Sequence, residues 1–159
     1  MTLQRNIVRK ATKEDGEEML ALLPRLAAFE IPESRTADHL WVHDAALMRD
    51  WIEGKTDNCL MQVAENSEGK IVGVSMVTLR PELLSHEPSA HLEALVVADG
   101  AEGQGIGQML LKFAEDEAIA NGALTITLHV FSSNKRARAL YERSGYDGEL
   151  MRYIKPIGE

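Results

Sequence analysis

The chain has one cysteine, Cys59, five prolines and only 5% aromatic residues, and each scarcity narrows what it can be. A single thiol excludes an internal disulfide framework. The five histidines (His39, His43, His86, His91, His129) form no ligand spacing with it, so no metal site is expected. No apolar run approaches the roughly 20 residues that span a bilayer, and no membrane association is expected. The first ten residues lack the basic-then-apolar layout of a secretory signal, which points to a cytoplasmic protein. Basic residues are also short: 17 Lys and Arg face 25 Asp and Glu, a formal charge of −8. That balance argues against nucleic acid as a partner, because phosphate counterions are displaced by lysine and arginine. It gives a field that draws protonated amines.

What is present suits one compact domain over residues 1–159. A 45% hydrophobic content at this length can bury a real core. Gln4 to Lys10 reads as a short strand. Thr12 to Asp15 resembles a capping box with Asp in the Glu position. The following helix carries Met19, Leu20, Leu22, Leu23 and Leu26, and Pro24 predicts a kink or break. Trp41 to Ile52 reads as a second helix ended by Gly54. Cys59–Glu65 and Lys70–Leu79 read as a hairpin, and Ala90–Val97 as a further strand. Gln104–Asn121 is a helix stopped at Asn121-Gly122, Leu124–Val130 an alternating strand, and Asn134–Ser144 a short helix closed by Gly145. Tyr146 to Ile154 can supply a last strand. The order predicts a mixed α/β domain with one principal sheet covered by helices.

Most of the chemistry lies between Leu95 and Gln108. An apolar strand ends, the chain turns, and Gly103, Gly105 and Gly107 lead into a helix. Glycines let a ligand approach the backbone, and a helix start offers unpaired N–H groups to a phosphate. A merely tight turn is the plain alternative. A dinucleotide fingerprint fails because position 108 is Gln, and a Walker loop fails for want of Gly-Lys-Ser/Thr.

Glu102-Gly-Gln-Gly105-Ile-Gly107 resembles the signature of the GNAT superfamily of N-acetyltransferases, with an acid at the first position in place of the usual base or amide. A second stretch, Asn134 through Ala137, Leu140-Tyr141 and Gly145-Tyr146, is similar to the other motif of that family. Arg9, Thr12, Asp15 and Gly73 fit its outline more loosely. The resemblance implies a mostly antiparallel central sheet flanked by helices and splayed at an acetyl-CoA site. It implies that Leu95, Val96 and Val97 meet the pantetheine arm through their main chain. Glu102, Gly103, Gln104, Gly105, Ile106, Gly107 and Gln108 would surround the diphosphate, with Asn134 a further contact. Tyr141 would protonate the departing thiolate. On its own Asn134 is most often a helix cap and Tyr141 a core residue. Lys112, Lys135, Arg136 and Arg138 are either nucleotide-phosphate contacts or a solvated basic face.

Acetyl transfer needs a deprotonated amine, a polarised carbonyl and a leaving thiolate. Alternation places His91, Glu93, Leu95 and Val97 on one strand face unless a bulge intervenes. Glu93 matches the position where many such enzymes carry the proton acceptor, with His91 in reserve. Cys59 has no evident base partner, so direct attack is expected and the thiol reads as core filler. The acceptor pocket is expected from residues 12 to 58 and 81 to 88. There Glu30, Glu33, Asp38, Trp41 and Asp44 are candidates to recognise a cationic or ring-bearing amine, a small one being favoured, and a solvated face is the plain alternative for the charged ones. Acetylation of a protein amine, transfer of a longer acyl group, and a non-catalytic acyl-CoA sensor stay open. Relatives often pair, which allows a homodimer, and no interface is legible in the sequence.

Overall fold

A computed structural model describes residues 5–158. Its centre is a five-stranded sheet in the order β1 (Ile7–Lys10), β2 (Cys59–Glu65), β3 (Ile71–Pro81), β4 (Pro88–Val97), β5 (Thr125–Leu128). The first four strands are antiparallel neighbours, and β5 runs parallel to β4. Helices α1 (Gly16–Leu22), α2 (Val42–Ile52), α3 (Ile106–Ala120) and α4 (Lys135–Arg143) complete the fold. The β4–β5 connection carries α3, the kind of crossover a parallel pair requires.

The helix breaks follow from the sequence. Asp15 accepts a hydrogen bond from the Thr12 amide at 2.8 Å, which closes the turn before α1. The same carboxylate meets the Arg9 guanidinium at 2.8 and 2.9 Å, and these bonds hold its pKa below the usual range. Pro24 converts the end of α1 into a 3-10 turn over Leu23–Ala27. The β2–β3 hairpin turns on Asn66, whose side chain accepts from the amides of Glu68 and Lys70, and on Gly69 at φ +77°.

Both faces of the sheet are packed. On one, Met19, Leu23, Ala45 and Met48 of the α1–α2 layer meet Met61, Val63, Val74, Met76, Ala94 and Val96. On the other, α3 sets Ile106, Leu110, Leu111, Ala114 and Ala118 against Val72, Val77, Ala90 and Leu92. Gly73 allows the close approach at the start of α3: a Cβ there would sit 2.9 Å from both Ile106 and Leu110. Cys59 is buried, and burial raises its thiol pKa, in keeping with a packing role.

The structure corrects two expectations. The segment after Tyr146 forms no strand, and residues 147–158 are all exposed. The first strand begins at Ile7, and Gln4 lies outside the described residues. No described helix is long and apolar enough to cross a membrane.

Candidate active site

Strand β4 changes character at Glu93. Leu92 stands opposite Val77 and Ala94 opposite Met76, so Glu93 has no partner on β3 and forms a bulge. On the other side the ladder to β5 runs from Ser89–Thr125 to Leu92–Leu128 and stops. From Glu93 to Val97 the strand is therefore paired on one edge only. This is the splay that the sequence resemblance implied.

The bulge also corrects the expected alternation. Ala94 and Val96 face the α1–α2 layer, whereas Leu95 and Val97 pack on the α3 side. Glu93 is held beside Thr78, whose hydroxyl donates to its Oε1 at 2.7 Å, while Arg80 Nη1 lies 3.7 Å from the same oxygen. His91 and Glu93 thus do not share a face with Leu95 and Val97. The extra residue reverses the pleat, and nothing in the local sequence signals it.

His91 is only 5% exposed. Its Nδ1 pairs with the Thr127 hydroxyl at 2.8 Å and its ring packs against His129. Burial, helped by the charge of Arg80, pushes its pKa down to about 4, against the opposing pull of Glu93. A neutral imidazole bridging β4 and β5 is a poor proton acceptor at neutral pH. Asp44, at the start of α2, lies near enough to feel the charge of Glu93. Burial first and that charge second raise its pKa to about 6. Of the other acceptor candidates, Glu30, Glu33 and Asp38 are exposed, and Trp41 packs on the α1–α2 core.

Beyond the splay the chain turns through Ala98–Gly105. Gly103 and Gly105 hold φ of +80° and +75°, and no atom lies within 4 Å of a Cβ built on either. Both positions need the left-handed conformation and both face open space. Gly105 is the N-cap of α3 and has no side chain to occupy the amides of the first turn, which leaves them for a ligand. Gly107 serves a different purpose, because a Cβ there would meet Leu140 at 3.3 Å and its absence lets α4 approach. The side chains of Val96 and Ile106 are buried, so only their main chain can serve a ligand. Gln104 accepts a hydrogen bond from Asn6 at 2.9 Å and anchors the loop to the start of β1. Gln108, in the first turn of α3, is exposed.

Glu102 is the departure from the family pattern, and its carboxylate is bridged by two cations. Arg25 Nη2 donates to it at 2.7 Å and Arg136 Nη1 at 2.8 Å, while Arg25 Nε donates to the Val97 carbonyl. Two guanidinium groups thus offset the charge of the acid beside the glycine loop. Sequence reasoning missed Arg25, which stands 77 residues from Glu102 and in no motif. Asn134 caps α4 by accepting from the Ala137 amide at 3.2 Å. Lys112 is paired with Asp116, and Arg138 donates to the Ser132 carbonyl. Tyr141 packs with Leu95 in the α3-side cluster and lies edge-on to Tyr146, and burial raises its pKa to about 12. Phe29 stacks on Phe131, and Ser133 donates to the Glu30 carbonyl, joining the segment after Ala27 to the loop before α4.

The sheet thus parts between β4 and the edge strand β5, beside a glycine-led helix start that no side chain caps. The chain belongs to the Acetyltransferase (GNAT) family, whose profile matches residues 23–146. It is 28% identical to thialysine N-epsilon-acetyltransferase of Bos taurus, covering 93% of this chain and 96% of that protein. It is 29% identical to aminoalkylphosphonate N-acetyltransferase of Salmonella typhimurium, over 94% and 90% of the two chains. Its fold resembles that of a putative acetyl transferase from Pyrococcus furiosus, with a TM-score of 0.76, 22% identity and coverage of 96% and 100%.

Proposed function

We propose that this chain transfers an acetyl group from acetyl-CoA directly to the primary amine of a small, cationic acceptor. The observation that carries this reading is the end of the β4–β5 ladder at Leu92 beside the uncapped start of α3. The gap and the open space over Gly103 and Gly105 suit an extended arm ending in phosphates. When bound, acetyl-CoA supplies an acetyl group activated as a thioester.

The residues then divide the work. Main-chain groups of Leu95, Val96 and Val97 hold the arm, and amides from Glu102 to Gln108 face the diphosphate. Asn134 has its oxygen occupied by its own helix, so its side-chain nitrogen is the atom left for the coenzyme. Glu93 has one oxygen held by Thr78, which leaves the other to take the proton of an ammonium, directly or through water. Arg80 Nη1 lies 3.7 Å from the oxygen that Thr78 holds. An acceptor cation between Asp44 and Glu93 would relieve the repulsion that adds to burial in raising the Asp44 pKa. Tyr141, at about 12, stays protonated at neutral pH. A free thiol titrates near 8.5, roughly, so Tyr141 steadies a thiolate by donating a hydrogen bond rather than by surrendering its proton outright. The named relatives act on small amines, which favours a small acceptor here over a protein terminus.

Calorimetry with acetyl-CoA, followed by thiol release across a panel of amino acids, polyamines, aminoglycosides and aminoalkylphosphonates, tests the proposal. Saturable binding with release for at least one amine is expected. Binding without release would replace the transferase by an acyl-CoA sensor, and no binding would remove both.

A further inference from the structure

Glu102 is an acid one residue ahead of Gly103, on the loop that faces an incoming diphosphate. A lone carboxylate there would repel that anion. The contacts around it run as a relay across three segments. Arg25 Nε donates to the carbonyl of Val97, the last residue of β4, at 2.8 Å. Arg25 Nη2 donates to Glu102 Oε1 at 2.7 Å, and Glu102 Oε2 accepts from Arg136 Nη1 at 2.8 Å. Both oxygens of the acid are therefore committed to guanidinium groups.

The relay has one anchored end and one open end. The Arg25 side chain is 27% exposed and tied to the strand, whereas that of Arg136 is 69% exposed. Arg136 makes no other hydrogen bond among the described residues, so its Nε and Nη2 remain for an anion. It also stands in the first turn of α4, where no acid offsets a cation against the positive end of the helix. Glu102 supplies that counter-charge from outside the helix. Other bases nearby are turned elsewhere: Lys112 pairs with Asp116, and Arg138 meets the Ser132 carbonyl and Glu142. Two guanidinium groups and one carboxylate leave a net positive charge at the loop. Asp99, 4.0 Å from Arg25 and 91% exposed, is largely screened by water.

We propose that Glu102 is a positioning residue: it holds the Arg136 guanidinium at the rim of the glycine loop, where the remaining N–H groups meet the coenzyme diphosphate. A base borrowed from α4 then replaces the base that the loop lacks. This role rests on acetyl-CoA being the coenzyme. Removing the charge of Glu102 has two opposed effects: it relieves a repulsion and it releases Arg136 into solvent. A hydrogen bond from a guanidinium to a phosphate outweighs the repulsion from one partly screened acid, so the release dominates while Arg136 is present.

Calorimetric titration of the full chain with acetyl-CoA and with acetyl-dephospho-CoA tests this, with circular dichroism confirming that each variant is folded. Arg136→Gln is expected to weaken both ligands by about 10-fold or more. Glu102→Gln is expected to weaken them by about 3–10-fold in the wild-type background and to tighten them by about 2–5-fold in the Arg136→Gln background. That reversal of sign is what an acid acting only on loop stability would not give. Glu102→Gln that tightens binding in both backgrounds, or weakens it equally in both, overturns the proposal. So does an Arg136→Gln loss confined to acetyl-CoA, which would move the contact from the diphosphate to the 3′-phosphate. A wild type that binds neither ligand removes the transferase reading along with this role, whereas a wild type that binds both and is indifferent to the two substitutions removes this role alone.

Discussion

The two ends of β4 are built from similar residues and do different things. From Ser89 to Leu92 the strand is paired on both edges and its side chains are buried on both faces. From Glu93 to Val97 it is paired only with β3, and Glu93, Leu95 and Val97 become partly exposed. One extra residue makes the change. The bulge rotates the strand, the β5 ladder stops in step with it, and main-chain groups come free without any loss of the core beneath. Scaffold and candidate site thus share one strand, with the boundary between Leu92 and Glu93.

Substitutions on either side of that boundary sharpen the comparison. Glu93→Gln is expected to lower kcat by about 10²–10⁴-fold in steady-state assays, with thermal stability and acetyl-CoA affinity unchanged. A kcat within a few-fold of wild type would remove Glu93 as the proton acceptor. Leu92→Ala, one residue earlier, is expected to cost about 2–5 kcal/mol in urea unfolding, while the molecules that remain folded turn over normally. Gly73→Ala, across the sheet from Val97, forces Ile106 and Leu110 aside and is expected to cost about 1–3 kcal/mol. If it melts like wild type, the contact of β3 with α3 is looser than described.

The last effect is one of pH. His91 titrates near 6.5 when unfolded and about 4 when folded. Between those values the unfolded chain holds more protons, so the stabilisation is complete above the upper value and is lost as pH falls toward the lower. The slope is at most about 1.4 kcal/mol per pH unit. Asp44 works the other way, since its pKa rises from 3.8 to about 6 on folding and its contribution falls as pH rises through that window. His91→Gln should therefore flatten the loss of stability between pH 6.5 and 4, and Asp44→Asn should steepen it. Unfolding curves across the window check both; parallel curves for His91→Gln and wild type would mean that the imidazole is not buried neutral.

Much of this was legible in the sequence because it depends on local rules. Helix starts, the hairpin at Asn66–Gly69 and the stop at Asn121-Gly122 follow from neighbours a few residues apart. The glycine loop was readable for the same reason, since positive φ at 103 and 105 is a demand that only the residue itself can meet. The parity of β4 was not, because a bulge is settled by what the neighbouring strands will accept. Nor was the bridge of Arg25 and Arg136 on Glu102, which joins three segments remote in the chain. The stretch after Tyr146 has residues suited to a strand, but it pairs with none, since pairing is settled by contacts far from it in the chain.

By itself the sequence determined the element order as far as α4, the family and the glycine-led helix start, all of which rest on residue type and short spacing. Only the tertiary structure decided that Glu93 stands at a bulge, that His91 is buried between strands and that Gly107 serves α4. Those are properties of register and packing, and register is fixed by contacts between strands and helices that meet only once the chain has folded.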